Sequence, residues 1–375
     1  MISHRDELNF MQRLGQLNWV LLLLTLLLGG IGIAMLYSAS GGDWLPWAKA
    51  HSIRFSVGCV LMLAVAAMPL KFWYQSAYLW YGLGVVLLIV VEVMGQMGMG
   101  AQRWVNIGGM TIQPSEFIKL AVILALARFL HTLHPMDRKS LIWMIPPLVL
   151  IALPTVLILK QPNLGTATIL VGISLAIWFA GGLLWRYVLL GLAGIAAVVP
   201  LSWNFLLHDY QKQRVMTFLD PESDPLGAGY NIIQSVIAIG SGGLEGKGFV
   251  KGSQGQLDFL PEKHTDFIFT MLAEEFGFIG CIGLLFIFTL LLGYAVAIAI
   301  RARQRFGGMV ATGVAAMLWL HVMINTAMVM GLIPVVGVPM PFLSYGGTIL
   351  LATCLAMGLL QNIYINRDTV LTRNS

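Results

Sequence analysis

Among 375 residues with only 10% charged, the groups able to do chemistry stand out by their scarcity. Asp266 stands where a polar stretch turns back into apolar sequence, with Lys263 and His264 just before it. A positioned carboxylate can take the proton of a weak nucleophile as bonds form, and neighbouring cations can hold charge on a departing anion. The same Asp could do no more than cap the helix that follows. Further upstream, Glu116 and Lys119 are three apart and share one helical face. They form either an ion pair that neutralises two buried charges or the lining of a polar cavity; both readings hold together, because membrane ion pairs face a bundle interior or a water-filled pocket. Arg103 sits beside Trp104 in a Gly- and Met-rich stretch. That pair reads as an interfacial anchor or as a guanidinium for phosphate with an aromatic face for a sugar.

What must position these groups is a membrane-embedded scaffold. The chain is 58% hydrophobic, far from the roughly one-quarter charge of soluble domains. Ten apolar runs approach the ~20 residues needed to cross a bilayer core: 17–40, 50–69, 73–95, 115–133, 140–159, 164–181, 184–206, 266–300, 309–333 and 342–364. Pro146, Pro147 and Pro154 interrupt the fifth. The fold class is an all-α polytopic membrane protein in a single domain over 1–375. Its one long extracytoplasmic loop, 207–265, lies between the seventh and eighth runs. Seven of the 17 acidic residues fall between Asp209 and Glu262. Within the loop Asp220-Pro221 and Asp224-Pro225 mark turns, and Ile232, Ile233, Val236 and Ile237 recur at helical spacing, predicting a short amphipathic helix on the membrane or the protein. The following GSGGLEGKG lacks phosphate-loop spacing and is rejected as a nucleotide site.

The net charge of +5 needs no anionic partner such as nucleic acid. With both termini in the cytoplasm, 12 of the 22 Lys and Arg residues fall in cytoplasmic segments, Arg301, Arg303 and Arg305 among them. The short outer connections and helix ends hold Lys49, Arg54, Arg103 and Lys160, so the bias places the long loop outside. Cys59, Cys281 and Cys354 all fall in predicted spans without paired spacing, supporting neither a disulfide framework nor a metal cluster. Ser115 is the predicted N-cap of the fourth helix. Glu92 is expected to be paired or at the water boundary. His321 and Asn325, four apart, suit interhelical hydrogen bonds. The segment 331–347 combines prolines and glycines with no charge, a broken backbone tolerated at membrane depth only inside protein or along a cavity.

Taken together, GAQRW (100–104), QPSE with Lys119, QPNLGT (161–166), HDYQKQRV (208–215), LDPESDPLGAGY (219–230), IAIGSGG (237–243), FLPEKHTDFIF (259–269), LAEE (272–275), PVVGVP and SYGG (within 334–347) resemble the SEDS family of polytopic membrane proteins. The wording of the loop favours its elongation branch over its division branch. The resemblance covers nearly the whole chain. It implies a processive peptidoglycan glycosyltransferase of the bacterial inner membrane, polymerising lipid II at the outer face. The acceptor is a 4-hydroxyl, and the donor an anomeric carbon bearing undecaprenyl pyrophosphate. By the same resemblance Asp266 matches the family's essential Asp and Trp104 its outer-loop Trp, while Arg103, Glu116, Lys119, Lys263, His264 and Ser344 of SYGG are substrate-binding candidates. No metal-ligand constellation is visible, although pyrophosphate chemistry leaves room for a divalent cation. The implied partners are a class B penicillin-binding transpeptidase, docked on helices 8 and 9, and other elongation-complex membrane proteins. One departure is Asn163, where the family commonly has Asp; a capping role survives the change. A lipid II flippase and a non-catalytic scaffold are the alternative functions.

Overall fold

The computed structural model describes residues 10–98, 101–107, 110–133, 141–191, 193–194, 212, 216–223, 228–257 and 259–369. After a short helix, Phe10–Leu14, come α1 (Trp19–Ala39), α2 (Ala48–Ala67), α3 (Leu70–Met94), α4 (Pro114–Thr132), α5 (Ile145–Lys160) and α6 (Leu164–Ala180). The amphipathic α7 (Ala228–Ser241) precedes α8 (Ile268–Arg301), α9 (Arg305–Val329) and α10 (Gly347–Ile365). Among the described residues seven helices are long and apolar enough to cross a membrane. The charged α4 and the 17-residue α6 complete the bundle. Most of the seventh run lies outside the described residues, as do HDYQKQRV apart from Lys212, Asp224 and Pro225, and the basic residues Arg5, Arg138, Lys139 and Arg373.

The prolines of the fifth run fall where a helix accepts them. Pro146 and Pro147 occupy the first turn of α5, whose amide hydrogens have no intrahelical partner anyway; a 3-10 turn, Leu141–Met144, leads in, and only Pro154 is internal. Within the Gly- and Met-rich stretch around Arg103 the chain folds into an antiparallel meander, β1 (Gln96–Gly98), β2 (Ala101–Ile107) and β3 (Met110–Ile112). These strands are too short to show a clear alternation. They bring Arg103 and Trp104 to the mouth of α4.

At the centre is α4, buried along nearly its whole length and packed against α3, α6 and α9. α10 lies along α2 at close range: Gly58 faces Cys354, and Gly358 faces the backbone at Met62. The amphipathic helix α7 packs on the protein by a face that joins apolar and polar residues. Ile232, Ser235 and Ala238 are buried while Val236 and Ile237 point outward. Ser235 Oγ donates to the Val329 carbonyl at 2.7 Å and lies 2.7 Å from Thr270 Oγ1, so a buried hydroxyl is exchanged for two exposed aliphatics.

α8 is broken at Gly277, whose φ of 61° and ψ of −160° are not helical. The amides of Phe278 and Ile279, which in an unbroken helix would bond the carbonyls of Glu274 and Glu275, donate to Gly243 and Leu244 at 2.9 and 3.2 Å. The released carbonyls accept from Lys247 and Gly248 at 3.0 and 2.9 Å. These four freed backbone groups are thus paired by the loop following α7. The buried Glu274 carboxylate completes the join, accepting from Lys247 Nζ at 2.7 Å and from the Gln254 amide at 3.0 Å.

Candidate active site

Three chain segments meet around Asp266. The connection before α8 is held from α9, where Asn325 Nδ2 donates to the carbonyls of Asp266 and Val338, both at 2.8 Å. From the broken segment before α10, Ser344 Oγ donates to the Thr265 carbonyl at 2.6 Å and accepts the Met340 amide at 2.8 Å. The Tyr345 amide donates to the His264 carbonyl at 2.7 Å. Residues 264–266 are therefore held through their own carbonyls. A methyl group on Gly337 would lie 3.3 Å from Asp266 Oδ2, and the φ of 68° there suits glycine alone. The apolar Pro-Gly segment thus brings bare backbone against the carboxylate.

Asp266 is half-buried and stands one residue before the cap position of α8, which Phe267 takes. His264 stacks on Trp47 with ring centroids 4.3 Å apart and planes within 2°, and the Tyr345 ring closes at 5.9 Å. Arg54 lies over Tyr345 at 5.0 Å, a cation–π contact. Burial holds the His264 imidazole below the ordinary histidine range, with Glu262 pulling it back up and Lys263 pushing it further down. Lys263 is buried, its ammonium bound to the Gly255 carbonyl at 2.5 Å and 5.8 Å from the Trp47 ring centre.

The other candidates occupy separate places. Glu116 and Lys119 form a buried ion pair at 2.9 Å. Lys119 Nζ also donates to His321 Nε2 at 2.9 Å, and His321 Nδ1 donates to the Met317 carbonyl at 2.8 Å. The carbonyl can only accept, so the ring proton sits on Nδ1 and Nε2 is free to receive the ammonium. The fourth helix is capped by Gln113 with Pro114 in its first turn, so the cap expected at Ser115 shifts two residues upstream and Ser115 is buried inside the helix. Arg103 donates to the carbonyls of Gln161 and Pro162, tying the meander to the C-terminal end of α5. Trp104 beside it is half-buried. Asn163 caps α6, accepting the Thr166 amide at 3.3 Å, and Glu92 meets Lys160 at 3.5 Å in an exposed pair.

The residues that sequence reasoning did not single out are Trp47, Arg54 and Tyr345. Each comes from an outer connection or its adjoining helix turn, remote along the chain from Asp266, and only the fold joins them. A divalent ion would find one carboxylate in Asp266; among the described residues no three His, Cys, Asp or Glu gather as a metal cluster.

The FtsW/RodA/SpoVE family model, described as a cell cycle protein, matches residues 18–369. The peptidoglycan glycosyltransferase MrdB of Escherichia coli K12 is 43% identical over 350 residues, 93% of each chain. A chain from work on the structural coordination of polymerization and crosslinking by a peptidoglycan synthase complex superposes with a TM-score of 0.81 at 34% identity, covering 94% of this chain and 98% of that one. The crystal structure of the rod shape determining protein RodA of Thermus thermophilus gives 0.71 at 28% identity, covering 94% and 97%.

Proposed function

Since this chain belongs to the FtsW/RodA/SpoVE family, the SEDS proteins, we propose that Asp266 is the general base of its glycosyl transfer. The protein is a peptidoglycan glycosyltransferase of the multi-pass inner-membrane type. Its reaction joins lipid-linked disaccharides into a glycan strand during cell elongation. In the proposed step the acceptor 4-hydroxyl gives its proton to the Asp266 carboxylate as its oxygen attacks the donor anomeric carbon. The bond to the undecaprenyl pyrophosphate breaks, and its electron pair leaves with the pyrophosphate. One base suffices for such an inverting displacement, because the leaving group departs as an anion and needs cations rather than an acid.

The observation that carries this reading is the carbonyl clamp. Asn325, Ser344 and Tyr345 hold the backbone of 264–266 through hydrogen bonds to its carbonyls, a geometry that fixes where the Asp266 carboxylate stands. Arg54, on the Tyr345 ring, adds a cation at this end of the bundle that suits pyrophosphate. The partner is a penicillin-binding transpeptidase seated on α8 and α9, and both termini lie in the cytoplasm.

Replacing Asp266 by Asn keeps size and hydrogen-bonding capacity while removing the base. With purified protein and lipid II in detergent, Asp266→Asn is expected to fold normally and polymerise about 10²- to 10⁴-fold more slowly. Near-normal glycan synthesis by a well-folded Asp266→Asn would remove the base assignment.

A further inference from the structure

At the end of the bundle opposite Asp266, a cavity of about 520 Å³ opens between the start of α1 and the ends of α8 and α10. Arg301 and Arg367 both line it, with Tyr294, Tyr364 and Asn18, and Val20 forms part of an apolar wall. No carboxylate lines it among the described residues; the nearest to Arg367 is the adjacent Asp368 at 3.9 Å. The two arginines are brought together by the fold. The Arg303 amide donates to the Arg367 carbonyl at 3.0 Å, tying the α8–α9 connection to the end of α10. On the third side, Gln361 exchanges hydrogen bonds at 2.9 Å with both the amide and the carbonyl of Asn18. Arg367 is further steadied by the Tyr364 ring, 4.6 Å away, and by donating to the Tyr364 carbonyl at 3.1 Å.

Arginines at helix C-termini offset the helix dipole and mark the cytoplasmic side, but neither role requires a shared concavity. A phosphodiester matches what the cavity offers: guanidinium forks that bind phosphate oxygens bidentately, with Tyr294 and Tyr364 beside them. Its apolar wall favours a lipid over a free anion. Val20 is 43% exposed and the neighbouring Trp19 59%, an aromatic at the place where spans meet the interface. We propose that this cavity binds the headgroup of one anionic phospholipid of the cytoplasmic leaflet, with Arg301 and Arg367 on its phosphate and the acyl chains leaving along Val20.

The test is native mass spectrometry of the delipidated full chain in detergent, titrated with phosphatidylglycerol, phosphatidylcholine or inorganic phosphate. One phosphatidylglycerol is expected to bind at least tenfold more tightly than phosphatidylcholine, with inorganic phosphate competing poorly. The pair Arg301→Gln and Arg367→Gln is expected to lose about tenfold or more in that affinity. The pair Arg303→Gln and Arg305→Gln removes equal charge from residues that line a different cavity, and is expected to retain it. Val20→Trp, which fills the cavity without altering charge, should reproduce the loss even if the arginine pair fails to fold. Equal losses in both arginine pairs, equal binding of the two lipids, or full competition by inorganic phosphate would each overturn the proposal.

Discussion

At the scale of the residue, the buried polar groups are the ones with no alternative partner. Glu116, Lys119 and His321 form a chain whose members are all at most 5% exposed, linked by two contacts of 2.9 Å. Removing one end strands a charge in low dielectric, at a cost of roughly 3–5 kcal/mol. Glu116→Ala and Lys119→Ala are each expected to destabilise the protein by about that much in detergent unfolding, and the double variant by less than their sum. Single costs below about 1 kcal/mol would mean that the pair is solvated. The i, i+3 spacing made this pair legible in the sequence. His321 was legible as an interhelical hydrogen-bonding residue, but its partner was not, because nothing in one helix names the face that another presents to it. The same limit hid Trp47 beneath His264. Asp266 was legible as a carboxylate at a polarity boundary, whereas its clamp, made of carbonyls, leaves no trace in residue types.

At the scale of the element, hydropathy located every described span, since a run of ~20 apolar residues has few other uses. It passed over one element whose pattern is weak. The meander at 96–112 has strands of three, seven and three residues, too short to carry a period. In α7 the buried face joins Ile232 to Ser235, so the apolar spacing located the helix without naming every residue it hides. On α8, Phe278, Ile279, Ile282 and Phe286 are all at least 50% exposed, a face open to lipid or to a partner's helix. Gly283 and Gly293 lie on this helix with open space where a side chain would go. Gly283→Leu with Gly293→Leu is therefore expected to fold as the parent does and to reduce co-purification of the proposed penicillin-binding partner at least tenfold. Undiminished co-purification would move the docking surface away from α8.

For the molecule as a whole, the charges divide between two ends. Arg54, Arg103, Lys160 and Asp266 lie at one end, and Arg128, Arg301, Arg303, Arg305 and Arg367 at the other. Read by the positive-inside bias, the Asp266 end is the one proposed to face outward. A cysteine at the exposed Ser253 should react with an impermeant maleimide in intact spheroplasts; labelling only after permeabilisation would invert the molecule. The break at Gly277 adds a mechanical consequence to this polarity. At ~1.5 Å per residue, the 24 residues from Phe278 to Arg301 span about 36 Å, enough for the bilayer core by themselves. The stretch from Ile268 to Phe276 is therefore surplus to crossing, and belongs structurally to the outer assembly around Asp266. A bending load applied by a partner to the lipid-facing rod meets no continuous helical ladder at Gly277. It passes into the Gly243–Gly248 loop, whose four backbone bonds act as the coupling, so the stiffness of that loop sets how much of a partner's pull arrives at Asp266.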